Sequence, residues 1–278
     1  MKELFDKISL KSSKIATNNY STSFSMGIRL FHPSFHEPIY AIYGFVRIAD
    51  EIVDSFHDFN KVELFEEFKA DTWKAIKDGI SLNPILNSFQ WVVNKYGIDH
   101  ELIETFLNSM EMDLAIREYD QKKYEQYILG SAEVVGLMCL KVFLNGDEQR
   151  YQELKYPAMR LGSAFQKINF LRDLHADYIK LGRTYFPGLD LQNFNEETKK
   201  SIEDDIAIDF KEGLKGIRML PKSVRLGVYL AYIYYISLFR KIKSTNSSII
   251  MLQRIRIPNA KKYSLLLGSY IKHSFNLL

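Results

Sequence analysis

The stretch SAFQKINFLRDLHADYIKLGRTYFP, residues 163–187, decides the fold. Asn169, Asp173 and Asp177 stand at i, i+4 and i+8, and Gln166 lies three before Asn169, so four polar side chains share one helix face. Phe165, Ile168, Leu171 and Leu174 fall opposite and read as core. Amides and carboxylates on a helix packed into a protein are unfavourable unless something satisfies them. Arg172 is adjacent to the stripe, and Gly182-Arg183 reads as a glycine-terminated helix end with a cation beside it. Packing alone does not account for such a face.

A second ladder lies upstream, in YAIYGFVRIADEIVDSFHD at 40–58. Asp50 and Asp54 are four apart, and Tyr43 and Arg47 fall on the same stripe. Ile42, Phe45, Val46, Ala49 and Val53 make the apolar flank; Glu51 points elsewhere and reads as surface or as a residue behind the stripe. Carboxylates at this spacing repel by a few tenths of a kcal/mol on an isolated helix, and a cation between them reverses the sign. A lone DxxxD is more often a solvated face. Two ladders on separate helices, each with arginine nearby, form a coherent device: facing one another across a cavity, they can hold several magnesium ions, which take carboxylate and phosphate oxygens and turn diphosphates into good leaving groups. Arg47, Arg172, Arg183 and Arg254 are candidate donors to phosphate oxygens.

The rest of the chain is helical in pattern. Helices are expected near 3–17, 37–56, 61–78, 84–95, 99–117, 123–143, 147–155, 157–181, 198–217, 222–243 and 260–276. Pro157 is expected to split one segment, and Asn83-Pro84 reads as a cap followed by proline at the first helical position. No low-complexity linker divides the 278 residues, so a single all-α domain spanning 1–278 is expected. A net charge of +3 gives no case for a nucleic-acid partner. The one cysteine, Cys139, excludes an internal disulfide and reads as a small core residue, consistent with a reducing cytoplasm. The first fifteen residues lack the apolar core of a signal peptide. The longest strongly apolar stretch is taken as Leu226–Phe239, short of the roughly 18 residues of a membrane span. Basic residues gather late, at Arg254, Arg256, Lys261, Lys262 and Lys272, where an anionic lipid surface and a solvated face are both compatible.

These motifs resemble the squalene and phytoene synthase family over about Tyr20 to Lys262. The resemblance rests on Ser21-Thr22-Ser23-Phe24, YAIYGFVRIADEIVD at 40–54, Tyr127 with SAEVVGLM at 131–138, QKINFLRDLHADYIKLGRTYFP at 166–187 and, more weakly, RIRIP at 254–258. It implies an isoprenoid-synthase-type helical bundle around a deep central cavity. It implies magnesium, with manganese as the alternative, held by Asp50, Asp54, Asn169, Asp173 and Asp177. Two prenyl diphosphates would join head to head through a cyclopropyl diphosphate. Catalytic roles map onto Asp50, Asp54, Asp173, Asp177, Arg172, Tyr43 and Tyr235. Substrate contacts map onto Ser21, Ser23, Phe24, Arg47, Tyr127, Val135, Gly136, Gln166, Asn169, Arg183, Tyr185 and Arg254. For Tyr127 and Tyr235, core packing with a satisfied hydroxyl is an equal reading.

The expected reaction is phytoene formation from two C20 units without NADPH. The alternative is squalene or dehydrosqualene synthesis from C15 units, and a non-catalytic assembly factor of the same family is a third reading. Where the family commonly has VAGxVG, this chain has SAEVVG, so Glu133 replaces a glycine and is expected to point away from the hydrocarbon channel or to partner a base. A cytoplasmic enzyme in peripheral contact with the inner face of a membrane is expected; oligomeric state and product double-bond geometry stay open.

Overall fold

The computed structural model describes residues 1–115, 118–176, 185–189 and 194–258. Asp177, Arg183, the expected helix at 260–276 and Lys261, Lys262 and Lys272 lie outside the described residues. The fold is all-α. The helices are α1 Lys2–Tyr20, α2 Thr22–Ile28, α3 His36–Ser55, α4 Lys61–Asp78, α5 Pro84–Tyr96, α6 His100–Ala115, α7 Gln121–Ile128, α8 Val134–Leu144, α9 Glu148–Ala176, α10 Glu196–Met219, α11 Lys222–Lys243 and the short α12 Ser247–Ile250.

Local chemistry explains most boundaries. Asn83 Oδ1 accepts from Ile85 N at 3.0 Å with Pro84 at the first helical position. Gly79 and Gly97 end α4 and α5 in the left-handed region, φ +69° and +58°. Asn195 caps α10 by accepting from the backbone N–H groups of Glu197 and Thr198. Two apolar bodies form. One gathers α3 to α6 and α8 around Phe45, Phe65, Phe89 and Phe106, with Phe45 stacked on Phe89 at 3.8 Å. The other gathers α9, α10 and α11 around Ile168, Leu171, Ile206, Phe210 and Leu238.

Three expectations change. First, α9 runs unbroken through Pro157. An internal proline destabilises a helix by about 3 kcal/mol, and here tertiary packing offsets it: Gly216 of α10 comes so close that a Cβ there would lie 2.5 Å from the Pro157 Cβ. Second, the helix expected at 123–143 is interrupted by a π-helical turn, Leu129–Glu133. Gly130 lets this turn press on α6, since a Cβ there would lie 2.5 Å from Thr105 O. The whole run Gln121–Leu144 is long and apolar enough to cross a membrane by length and composition, and more than half of it is buried. It therefore outranks Leu226–Phe239 as the longest apolar segment, and its burial marks it as a core helix. Third, α2 has no counterpart among the expected helices. It is only seven residues, started by Ser21, whose hydroxyl accepts from Phe24 N at 3.2 Å.

Helix α2 crosses α11 at Gly27 and Gly227. A Cβ on Gly227 would lie 2.4 Å from Gly27 O and 2.3 Å from Phe31 Cε1. The backbone carbonyl cannot swing aside as a flexible side chain would. Gly227→Ala is therefore expected to destabilise the fold by about 1–3 kcal/mol, read as a lower denaturant midpoint at unchanged slope; unchanged stability would disprove the tight crossing.

Candidate active site

A cavity of ≈ 630 Å³ opens between the two apolar bodies. Its polar end is built by α3 and α9. Tyr43, Arg47, Asp50 and Asp54 of α3 line it, as do Gln166, Asn169, Arg172 and Asp173 of α9, joined by Tyr235 and Arg254. The helical spacing that put each set on one stripe in the sequence thus turns both stripes inward. Among the other expected residues, Ser21, Phe24, Tyr127, Val135, Gly136 and Tyr185 also line the cavity. Ser23 does not; it is half-buried on another side of α2.

The carboxylates are held by arginines. Arg47 reaches Asp50 with one nitrogen and Glu51 with the other, and its guanidinium lies 4.4 Å from the Tyr20 ring centre. Glu51 is thus the residue behind the stripe. Arg172 chelates Asp173 at 3.0 and 2.5 Å, and Arg254 adds contacts at 2.6 and 3.3 Å. Burial opposes the Arg172 charge, but its bonds to Asp173 more than compensate and keep it firmly cationic. Burial, reinforced by Asp54 and only partly offset by Arg47, pushes Asp50 up to about 7.

Asp113 on α6 was missed by sequence reasoning. It accepts from Tyr127 at 2.6 Å and from Tyr119 and Tyr185, each at 3.2 Å. Its charge also raises Asp50. The signal was present: Asp113 falls three and seven residues after Met110 and Phe106, on an apolar stripe where an acid needs a partner. Tyr127 has a satisfied hydroxyl and also walls the cavity. Tyr235 also lines the cavity; it donates to Asn169 Oδ1 at 3.2 Å and stacks on Phe165 at 4.0 Å. Burial raises Tyr43, Tyr127 and Tyr235 above the ordinary phenol range. Phe165 and Val46, read as core, line the cavity, and so does Cys139, whose thiol burial pushes up to about 12, away from nucleophilic character.

The tail end is apolar, walled by Phe31, Phe106, Val135, Leu161 and Val228 among others. Glu133 stays out of it, buried in an ion pair with Arg160, which also holds Asp209 at 3.2 Å. Burial raises Glu133 to about 7 despite that arginine.

Among the described residues, no three His, Cys, Asp or Glu side chains could hold a metal by themselves. Asp50, Asp54, Asn169 and Asp173 nevertheless supply an all-oxygen donor set, which suits a magnesium ion that keeps phosphate oxygens and waters. Arg47 Nε is buried without a partner, a donor left for an anion.

An all-α fold thus encloses one cavity with an arginine–carboxylate mouth and an apolar tunnel. A profile of the squalene/phytoene synthase family matches residues 17–205, and the chain belongs to that family, whose members are prenyltransferases acting on prenyl diphosphates. It is 26% identical to a 15-cis-phytoene synthase of Synechocystis sp., covering 88% of this chain and 80% of that protein. It is also 26% identical to a 4,4'-diapophytoene synthase of Staphylococcus haemolyticus, over 67% of this chain and 65% of that one. A crystal structure of a dehydrosqualene synthase in complex with ligand superposes with a TM-score of 0.80 at 19% identity, covering 96% and 98% of the two chains.

Asp50 generates a pH prediction for metal-free protein. Its folded pKa is raised above the unfolded value of 3.8, so the folded state binds the extra proton. Its contribution is fully favourable below about 4 and is lost as pH rises through about 7. Asp50→Asn should therefore melt like wild type near pH 4 and a few degrees higher near pH 8, on the order of 1 kcal/mol after allowance for water in the cavity. A lower melting temperature at pH 8 would refute the burial argument.

Proposed function

We propose that this protein condenses two C20 prenyl diphosphates head to head into phytoene, with magnesium and without a reductant. One observation carries the reading: a single cavity joins an arginine–carboxylate mouth to an apolar tunnel. Bound magnesium, held by Asp50 and Asp54 from α3 and by Asn169 and Asp173 from α9, would supply charge neutralisation of the diphosphates. Arg47, Arg172 and Arg254 fork onto phosphate oxygens and orient the leaving groups. One diphosphate departs with its bonding pair, and the other substrate's double bond captures the allylic cation. Proton loss closes a cyclopropane that retains the second diphosphate. Departure of that group, rearrangement and loss of a second proton give the hydrocarbon. The tunnel excludes water, and Phe24, Tyr43, Tyr127, Phe165 and Tyr235 present π-faces to the cationic species.

The C20 preference rests on the GLM at 136–138, the GRTYFP end and the similarity to the Synechocystis phytoene synthase. Similarity to the 4,4'-diapophytoene and dehydrosqualene synthases favours the second reading, C15 substrates. The test is product mass from C20 diphosphate and magnesium alone. A C40 hydrocarbon is expected; product only from C15 substrate, or only with NADPH, would transfer the assignment to the second reading. Asp173→Asn should lower turnover at least 100-fold, about 2.7 kcal/mol in the barrier, while the protein keeps its helical content. Activity within tenfold of wild type would remove Asp173 from the metal set.

A further inference from the structure

Helix α1 is built inside out. Its buried residues are Ser9, Ser13 and Thr17, at i, i+4 and i+8 on one face. The Ser13 and Ser88 hydroxyls meet at 2.7 Å, Asn87 Nδ2 donates to Ser9 Oγ at 3.1 Å, and Thr17 donates to Ser13 O at 2.8 Å. Small residues are required there because α3 comes close: a Cβ on Gly44 would lie 2.8 Å from Ser13 Oγ. On the opposite face Leu4, Ile8, Lys11 and Ile15 follow the helical period i, i+4, i+7, i+11. Leu4 is 54%, Ile8 48% and Ile15 61% exposed. Lys7 and Lys14, also exposed, line one flank of this stripe beside Lys11. Lys2 and Asp6 pair at 2.8 Å, leaving three lysines against Glu3. A stray exposed leucine signifies nothing. A periodic aliphatic stripe edged by lysines, on a helix that docks through hydroxyls, is the pattern of a helix lying in a bilayer surface.

We propose that α1 binds an anionic membrane, with Leu4, Ile8 and Ile15 sunk at the headgroup boundary and Lys7, Lys11 and Lys14 against lipid phosphates. A second copy is disfavoured by the same lysines, since an antiparallel two-fold pairing of this face would set the lysine rows side by side. The helix also runs straight into Tyr20 and Ser21, which line the cavity. A bilayer-bound α1 therefore places that mouth near the phase in which prenyl chains dissolve. The proposal rests on the family's prenyl diphosphate substrates and is independent of C15 or C20 preference. Of the late basic residues, Arg254 is engaged by Asp173 and is not free to face lipid.

The test is flotation of the full chain, without substrate, on phosphatidylcholine vesicles with and without phosphatidylglycerol. Wild type should float with the anionic vesicles, and salt should weaken the binding. Leu4→Asn/Ile8→Gln/Ile15→Gln should bind at least tenfold less while melting like wild type, because no core contact is lost. Lys7→Gln/Lys11→Gln/Lys14→Gln should lose the preference for anionic lipid. Should the triple aliphatic variant fail to fold, Ile8→Trp gives a second readout: its emission should shift to the blue on adding anionic vesicles, beyond any shift of wild type. Wild type that does not float, an aliphatic variant that floats equally, or an Ile8→Trp emission that does not move would each overturn the proposal. So would a lipid-free wild-type dimer that the aliphatic substitutions dissociate, which would assign the face to a second copy.

Discussion

The structure depends on placing carboxylates in a cavity that is mostly hydrocarbon. A buried ionised carboxylate is strongly unfavourable unless it is paired, and each carboxylate here is treated differently. Asp173 lies between Arg172 and Arg254, both within direct contact. Asp50 shares Arg47 with Glu51 and is left with a raised pKa. Asp113, deeper still, is held by three tyrosine hydroxyls. The arginines neutralise the aspartates, and in the proposed reaction the same groups would meet the diphosphates. An ammonium would serve the first role as a point charge, but only the planar guanidinium fork matches carboxylate and phosphate alike.

Holding that mouth together requires rigid walls, and the walls are set by close helix crossings. Gly162 packs so near the π-helical turn that a Cβ would lie 2.8 Å from Ala132 O; Gly213 and Gly216 do the same against Leu161 and Pro157 of α9. Leu161, Pro157 and Ala132 all line the cavity, so the tunnel's bore follows directly from these glycines. Behind the wall runs a polar seam: Glu133 with Arg160, Arg160 with Asp209, Asp209 with Ser163 and with Lys167, and Lys167 with Asp205 at 2.5 Å. Glu133 sits at the head of this seam, buried. Its carboxylate is kept from the tunnel because Arg160 lies on the far side of the turn.

What could be read in the sequence was whatever repeats at helical spacing. The ladders Asp50/Asp54 and Gln166/Asn169/Asp173, the Asn83-Pro84 cap and the long helices all declare themselves within one window. What escaped depends on partners far along the chain. Asp113 takes its meaning from tyrosines up to 72 residues away. Pro157 is tolerated because of Gly216, on another helix. Phe165 is assigned to core by its position opposite the ladder, yet a cavity wall needs apolar residues as much as a core does, and periodicity cannot tell the two surfaces apart. The resemblance includes Ser23 with its neighbours, but a seven-residue helix shows only one face to the cavity, and Ser21, Phe24, Gly27 and Ile28 occupy it.

The tyrosines bear on how the proposed reaction ends. A cation that meets no hydride must surrender a proton, and two kinds of oxygen are candidates to take it, those of the tyrosines and those of the diphosphate. Burial raises Tyr43, Tyr127 and Tyr235 above the ordinary phenol range, so each remains a neutral hydroxyl. Two of the three already donate, Tyr127 to Asp113 and Tyr235 to Asn169. A neutral phenol that is donating its own proton is a poor base. Its ring can steady the cation, and its hydroxyl can anchor the wall. The proton must then go to a stronger acceptor within the dry cavity, and a departed diphosphate, held at the mouth by Arg47, Arg172 and Arg254, meets that requirement. In this reading the arginines retain the leaving group long enough for it to act as the base.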